Sequence, residues 1–185
     1  VLTLMGASGV GKSTLLGWLI GALPAVFVAS GQAYLNQQQI DQLPTEQRRV
    51  GILFQDDLLF PHLSVGGNLG FALPAKIKGT ERKMQIEAAL SQAGLTGFYQ
   101  RDPSSLSGGQ RARVSVLRAL LAQPQALLLD EPFARLDTEL RQQFRQFVFT
   151  QIAALQIPAI LVTHDQADSP EGGRIIRLEE KRHAR

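Results

Sequence analysis

The sequence predicts an α/β domain in which a mostly parallel sheet is flanked by helices. The main observation is a set of short apolar runs with the composition of strands buried on both faces: Val1–Met5, Val50–Phe54, Ala126–Leu129 and Ala159–Thr163. Long stretches with helical patterns separate these runs, as is typical of parallel strands joined by crossover helices. A fifth candidate strand is Arg174–Leu178.

Composition restricts the class of protein. The 185 residues, 44% of them hydrophobic, suit one globular domain with a sizeable core. The net charge of +3 is small and the basic residues are scattered, so no nucleic-acid partner is expected. The absence of cysteine excludes disulfides and agrees with a cytosolic protein. No apolar run approaches the roughly 20 residues that span a bilayer, so any link to a membrane is expected to go through a partner.

Two helices are predicted with a defined buried face. Lys83–Ala93 is expected to bury Met84, Ala88 and Leu90, within a mostly helical insertion that stands off the sheet. A second amphipathic helix follows Asp137, and its apolar face comprises Leu140, Phe144, Phe147, Val148, Ile152 and Leu155. We expect these phenylalanines to serve core packing.

Polar residues follow each of the four strand candidates. A glycine-rich loop follows Met5, Gln55 follows the second run, Asp130 and Glu131 follow the third, and His164 follows the fourth. In an open α/β sheet, ligands bind beyond the carboxyl ends of the strands. The sequence therefore predicts one site at this edge of the sheet.

The glycine-rich loop matches the Walker A pattern that binds nucleotide phosphates. Its glycines permit positive φ and close approach of the backbone, and its N–H groups and the following helix N-terminus attract an anion. Lys12 is predicted to reach the β- and γ-phosphates of ATP, and Ser13 to bind Mg²⁺. The predicted ATP-binding residues of this loop are Gly6, Ser8, Gly9, Val10, Gly11, Lys12, Ser13 and Thr14.

The two acids at the end of the third run are explained by a cation. Adjacent carboxylates at a strand end are costly without a partner. Asp130 is predicted to organise the Mg²⁺ shell, as the corresponding acid does in P-loop NTPases. Glu131 is then free to act as general base toward the attacking water.

A second glycine-rich motif, Leu106-Ser107-Gly108-Gly109-Gln110, resembles the signature of ATP-binding cassette (ABC) ATPases. It combines a serine, two glycines and a helix start, and so provides a second anion site. In that family the second site closes on the ATP held by the other subunit of a head-to-tail dimer. The resemblance implies ATP binding in trans by Ser107, Gly108, Gly109 and Gln110.

The resemblance continues in family order along nearly the whole chain. Gln55 is similar to the Q-loop residue, which senses the γ-phosphate and Mg²⁺, and it is therefore a third expected metal ligand. Asp137, in Ala134-Arg135-Leu136-Asp137, resembles the D-loop residue that faces the partner's phosphate loop. His164 resembles the switch histidine, which contacts the γ-phosphate and orients Glu131. The resemblance thus assigns catalysis to Glu131, His164 and Lys12.

The sequence after Gln55 and around Asp130–Asp137 is similar to the corresponding segments of ATPase subunits of prokaryotic importers, such as those for thiamine, sulfate, molybdate and polyamines. This likeness implies a homodimer bound to integral membrane permease subunits through the region after Gln55, a solute-binding protein acting indirectly, and a place on the cytoplasmic face of the membrane. It also implies one domain, 1–185, with a catalytic core at about 1–64 and 116–185 and a helical subdomain at about 65–115.

Two departures and two alternatives accompany this interpretation. The family's antiparallel strands before the phosphate loop, with their adenine-stacking aromatic residue, are expected to be missing from a chain that opens at Val1. Residues 179–185 are expected to form a solvated tail. One alternative is a soluble ABC ATPase of DNA repair or translation, with Arg111, Arg113 and Arg118 on a nucleic-acid face rather than facing a dimer partner or solvent. The other is a cassette that binds ATP without hydrolysing it.

Overall fold

The fold is a parallel five-stranded sheet, seen in a computed structural model that describes residues 1–179. Residues 180–185, which make up most of the predicted solvated tail, lie outside the described residues. The strand order is β4-β5-β6-β1-β7, and every neighbouring pair is parallel. The strands of this sheet are β1 (Leu2–Gly6), β4 (Val50–Leu53), β5 (Ala126–Asp130), β6 (Ala159–Val162) and β7 (Arg174–Leu178).

The predicted fold class is confirmed, and the bounds of all five predicted strands agree to within one residue. A small antiparallel pair, β2 (Tyr34–Leu35) and β3 (Gln38–Gln39), was not predicted. Its two-residue turn places Asn36 at φ 49° and Gln37 at φ 66°. Positive φ at both central residues suits the twist of a tight hairpin, but the pair is too short and polar to produce a strand pattern.

The helices cover the sheet and build the insertion. α1 follows β1, α3 and α4 lie in the insertion, and α5 and α6 flank β5 in the sequence. Their bounds are α1 (Lys12–Ile20), α2 (Thr45–Arg48), α3 (Val65–Ala72), α4 (Gly79–Gln92), α5 (Gly108–Leu121) and α6 (Thr138–Leu155). Among the described residues, no helix is long and apolar enough to span a membrane.

The predicted buried face of α4 is wrong in part. Ile86 and Leu90 are buried, whereas Met84 is 64% exposed and Ala88 is also exposed. Ile86 and Leu90 are four residues apart and therefore share a face of the helix. Met84 precedes Ile86 by two residues, and Ala88 precedes Leu90 by two, so both point about 200° away from the buried face. The sequence prediction of the buried face was wrong because the contacts of α4 with α3 and α5 bury Ile86 and leave Met84 exposed.

The second predicted amphipathic helix is confirmed as α6. Phe144, Val148 and Ile152 are buried against the sheet, and Phe144 packs edge-on to Phe133. Only the last predicted member of the face departs from the pattern, because Leu155 ends the helix and is 48% exposed.

Within residues 1–179, three hydrophobic clusters hold the elements together. One lies under α1 against β1, and one joins β4, β5 and β6 to α5 and α6. The third is formed by α3, α4 and α5 within the insertion. Helix α5 runs across the predicted boundary at residue 115 and contributes Val116 to the sheet cluster and Leu117 to the insertion cluster. The division into core and subdomain therefore stays a prediction, with α5 shared between the two.

Candidate functional site

The loop between β1 and α1 has the backbone shape of an anion site. Gly9 has φ 84°, and Gly11, the N-cap of α1, has φ 96°. A Cβ at either position would meet no atom within 4 Å, so the requirement for glycine is conformational. Gly6 differs, because its Cβ would lie 2.6 Å from the Leu178 carbonyl oxygen. Ser8 and Val10 lie within this loop, and Thr14 lies in the first turn of α1.

Lys12 is the first residue of α1 and turns back over the loop. Its Nζ donates to the carbonyl oxygens of Gly6 and Ala7, both at 2.9 Å, and the residue is only 8% exposed. An ammonium group has three donors. Two of them hold the loop in shape, and a third suits an anion placed in the loop.

Ser13 and Asp130 form the oxygen pair that the sequence predicts for Mg²⁺. Ser13 Oγ donates to Asp130 Oδ1 at 3.1 Å. Burial raises the pKa of Asp130, with a further upward contribution from the charge of Glu131, against the lowering effect of Ser13 and Lys12. A carboxylate and a hydroxyl in this setting fit Mg²⁺, a hard cation that favours oxygen.

Gln55, the third predicted metal ligand, forms no hydrogen bond with either member of this pair. It follows β4 and is exposed, and its side chain forms no hydrogen bond within residues 1–179. Over the same range, no group of three or more His, Cys, Asp or Glu residues could hold a metal. This agrees with Mg²⁺ chemistry, in which one or two protein ligands are completed by substrate phosphates and water.

The structure brings Glu131 and His164 together. His164 Nδ1 lies 3.2 Å from Glu131 Oε2, a distance at which an Nδ1–H donates to the carboxylate. Glu131 is held by its backbone N–H, which donates to the Val162 carbonyl at 3.0 Å. Its φ of 47° is a strained value for a non-glycine residue, of the kind found at functional sites.

The signature motif forms the start of α5. Ser107 Oγ accepts from the Gln110 N–H at 3.3 Å, and Gln110 Oε1 accepts from the Ser107 N–H at 3.0 Å. Gly108 is exposed, but Gly109 is buried, and a Cβ there would lie 2.6 Å from Leu140 Cδ2. No hydrogen bond or ion pair in the described part of the chain joins 107–110 to 6–14, so the two anion sites do not meet within one chain.

Asp137 is placed by the start of α6. It is the N-cap residue, and its Oδ1 accepts from the Leu140 N–H at 3.0 Å. Two residues earlier, Arg135 forms an ion pair with Asp56, which follows Gln55. The segment expected to face the partner subunit is thus bonded to the segment expected to face the permease.

Sequence reasoning missed the contacts of the arginines on α5, because it assigned them to a partner or to solvent. Arg111 lies 3.4 Å from Asp57, and Arg118 donates to the Leu58 carbonyl at 2.9 Å. Arg113 donates to the Ala93 carbonyl at 3.1 Å. These side chains hold segments of their own chain in place, and a sequence pattern carries no signal for such contacts.

Comparison with known proteins shows the family of this chain. Residues 1–134 match the ABC transporter family. YnjD of Escherichia coli (strain K12), an uncharacterized ABC transporter ATP-binding protein, is 57% identical over 178 residues, which cover 96% of this chain and 82% of YnjD.

A solved structure agrees as well. The dimeric structure of a post-hydrolysis state of the ATP-binding cassette MJ0796, bound to ADP and Pi, superposes with a TM-score of 0.79 and is 32% identical. The match covers 96% of this chain and 80% of that chain. Together these matches show that the chain belongs to the ABC transporter family and is an ATP-binding ATPase cassette.

Proposed function

We propose that this cassette hydrolyses MgATP as a head-to-tail dimer docked on permease subunits and that it powers the import of a small solute. The observation that carries the proposal is the contact of His164 Nδ1 with Glu131 Oε2 at 3.2 Å, next in sequence to the Asp130–Ser13 pair. A base with its orienting group, adjacent to two metal-binding oxygens, suits phosphoryl transfer to water. The dimer sits at the cytoplasmic face of the membrane, and a solute-binding protein acts indirectly through the permease.

The phosphate loop binds and orients the triphosphate. Loop N–H groups at Gly9 and Gly11 and the N-terminus of α1 surround the β-phosphate, where the helix dipole favours negative charge. Lys12, already bonded to two loop carbonyls, directs its ammonium toward the β- and γ-phosphates. The lysine therefore both shapes the loop and stabilises the charge that develops during transfer.

Ser13 and Asp130 would hold Mg²⁺. When bound, the ion supplies charge neutralisation and orientation of the phosphate oxygens. A bound cation would offset the cost of the half-buried Asp130 carboxylate, whose pKa is raised by burial. Gln55, which follows strand β4 beside β5, is the third proposed ligand of this shell, and through it would report the presence of the γ-phosphate.

Glu131 accepts the proton of the attacking water. Its carboxylate is held at the end of β5 by the strained backbone and by the Val162 hydrogen bond, while His164 fixes one of its oxygens. The other oxygen remains for the water. Positioning of this kind, rather than covalent chemistry, accounts for most of the catalysis in phosphoryl transfer.

The dimer completes each site. At the N-terminus of α5 the N–H groups of Ser107 and Gln110 are used by the cap, whereas those of Gly108 and Gly109 have no hydrogen-bond partner among the described residues. Asp137 lies at the start of α6. In a head-to-tail dimer these groups close on the ATP of the other subunit. Hydrolysis should therefore require dimerisation.

The experiment that tests the ATPase proposal uses Glu131→Gln. We expect the variant to bind ATP and to accumulate as a dimer, with turnover lowered on the order of 10²- to 10⁴-fold. Size-exclusion chromatography with MgATP and a phosphate-release assay measure the two effects. Turnover at the wild-type rate would remove Glu131 from the role of base, and a wild-type protein that binds ATP without turnover would favour the non-hydrolysing cassette.

An exposed apolar surface near the segment after Gln55 supports permease docking. Leu58 is 55% exposed and Phe71 is 72% exposed, and the rings of Phe71 and Phe60 lie 5.0 Å apart. Met84 on α4 is also exposed. Exposed apolar groups of this kind mark interaction sites.

The docking proposal is tested by purifying the full-length protein from native membranes and identifying its partners by mass spectrometry. Wild type should recover an integral membrane protein, and Phe71→Ser should lose it, whereas the control Leu155→Ser should retain it. Recovery of DNA or ribosomes instead would favour the soluble ATPase alternative. That alternative is weakened because Arg111, Arg113 and Arg118 are bonded within the chain.

A further inference from the structure

We propose that Arg141 and Asp168 are positioning residues that place His164 against Glu131 and link His164 to the first turn of α6. The inference rests on the proposed role of His164 in hydrolysis. It concerns a buried ion pair that is separate from the phosphate loop and from the metal-binding oxygens.

The pair has the geometry of a strong, specific interaction. Arg141 Nε donates to Asp168 Oδ1 at 2.8 Å, and Arg141 Nη2 donates to Asp168 Oδ2 at 2.7 Å. Such a two-pronged arrangement is short and directional. Asp168 is 2% exposed, and its hydrogen bond is the largest cause that raises the pKa of Arg141. A carboxylate this deeply buried is tolerated because it is paired.

The Arg141–Asp168 pair contacts the residues on both sides of His164, Thr163 and Asp165. On one side, Thr163 Oγ1 donates to Asp168 Oδ2 at 2.7 Å. On the other side, Asp165 Oδ2 lies 2.9 Å from Arg141 Nη2. Thr163 Oγ1 also accepts from the Asp165 N–H at 3.1 Å, which closes the turn around His164.

His164 depends on this turn because its own side chain has little support. The ring is 62% exposed, and among the described residues its one polar contact is with Glu131. Thr163, directly before it, is 1% exposed. The direction of the ring is therefore set mainly by the backbone of the turn, and the Arg141–Asp168 pair fixes that backbone.

The same pair connects the turn to the predicted dimer interface. Arg141 lies one turn after Asp137, and its N–H donates to the Asp137 carbonyl at 2.8 Å. A shift of this first turn of α6 on contact with the partner subunit would move Arg141 and with it the His164 turn. The pair thus offers a route by which dimer closure completes the catalytic geometry.

The test compares three variants of the full-length protein. Arg141→Gln should lower kcat on the order of 10- to 100-fold while leaving the affinity for ATP unchanged, because a misplaced group costs rate rather than binding. Arg141→Gln with Asp168→Asn removes both charges and shows the same loss without a lone buried carboxylate. The control is Arg174→Gln, which removes the same charge from an exposed side chain that has no hydrogen bond or ion pair among the described residues, and which should retain kcat.

A double-mutant cycle separates positioning from a general structural effect. In a His164→Ala background, Arg141→Gln should add little further loss, since its effect passes through His164. Full additivity of the two losses, or an equal loss in Arg174→Gln, would overturn the inference.

NMR of the imidazole signals provides a readout that needs no ATPase activity. The signals of His164 should shift in Arg141→Gln, whereas those of His62 should not. Unchanged His164 signals would also overturn the inference. If instead His164→Ala hydrolyses ATP at the wild-type rate, the proposed catalytic role fails, while the NMR comparison still tests the positioning of the ring.

Discussion

Ser13 and Asp130 stand 117 positions apart in the sequence, yet the Ser13 hydroxyl donates to Asp130 Oδ1 at 3.1 Å. Ser13 lies in the first turn of α1, and Asp130 is the last residue of β5. The bond therefore ties the phosphate loop to the acidic end of the sheet. Because burial raises the pKa of Asp130, the nucleotide-free protein carries a carboxylate that is costly to ionise.

The first prediction concerns Asp130→Asn in the absence of Mg²⁺. A native pKa of Asp130 above the ordinary aspartate value of 3.8 means that the folded state binds more protons between the two values. The contribution of Asp130 to stability is thus complete below 3.8 and is lost as the pH rises through the native pKa. Asp130→Asn should therefore raise the melting temperature at neutral pH, and the gain should shrink as the pH is lowered. Thermal melts at several pH values measure it.

Asp102→Asn is the control, because the pKa of Asp102 is lowered whereas that of Asp130 is raised. The Ser104 N–H lowers the pKa of Asp102, so this group contributes stability above 3.8 and loses it in acid. Its replacement should not raise the melting temperature at neutral pH. A lower melting temperature for Asp130→Asn at neutral pH would contradict the argument. With Mg²⁺ present, wild type alone should gain stability, and less so in acid, because the ion must displace the proton.

The sheet and its polar edge could be predicted because each strand has a local signal. A run such as Ala126–Leu129 is apolar throughout and is followed at once by acids, and strand ends in a parallel sheet meet at one edge. That rule predicts that Glu131 and His164 lie at the same edge, and their contact was implied by the resemblance to the ABC family. The position of each residue at a strand end could be predicted without information about side-chain packing.

The remaining features depend on tertiary contacts that have no local signal. Met84 and Ile86 are equally apolar, and only the position of α3 and α5 decides which one is buried. Asn68 is 0% exposed and bonds the carbonyls of three residues before it, including Phe60, yet one asparagine in a sequence predicts no such role. The strain at Glu131 likewise depends on its surroundings rather than on residue type.

The second prediction separates two glycines that the signature motif treats alike. A Cβ at Gly109 would lie 2.6 Å from Leu140 Cδ2, whereas at Gly108 the nearest atom would be 3.9 Å away. Gly109→Ala should lower the free energy of unfolding by about 1–3 kcal/mol through overpacking. Gly108→Ala should have a much smaller effect. Urea unfolding measures both, and similar losses for the two variants would contradict the packing argument.

A third variant tests the cause directly. Gly109→Ala combined with Leu140→Ala removes the overlap, so the double variant should be less destabilised than the sum of the single changes predicts. Additive losses would show that Gly109 is required for a reason other than its contact with Leu140.

The last prediction concerns Arg48, whose buried guanidinium faces carbonyl oxygens rather than an acid. It is 8% exposed and donates to the carbonyls of Trp18 at 2.7 Å, Leu19 at 3.0 Å, Asp41 at 2.8 Å and Leu43 at 2.8 Å. Trp18 and Leu19 belong to the last turn of α1, where carbonyls lack partners and the helix dipole favours a cation. Arg48 therefore completes the end of the helix that begins at the phosphate loop.

Arg48→Met keeps much of the side-chain length but removes every donor. It leaves several buried carbonyls unpaired, so the free energy of unfolding should fall by about 2–4 kcal/mol. Arg49→Met is the matched control, because Arg49 is exposed and the one hydrogen bond of its side chain within the described residues is to the Gln123 carbonyl at 3.2 Å. The loss for Arg49→Met should stay near 0.5 kcal/mol, roughly the usual limit for surface changes. Urea midpoints measure both values. Equal losses in the free energy of unfolding at the two positions would mean that water can hydrogen-bond the carbonyls at the end of α1 in place of Arg48, and that Arg48 is not required to cap the helix.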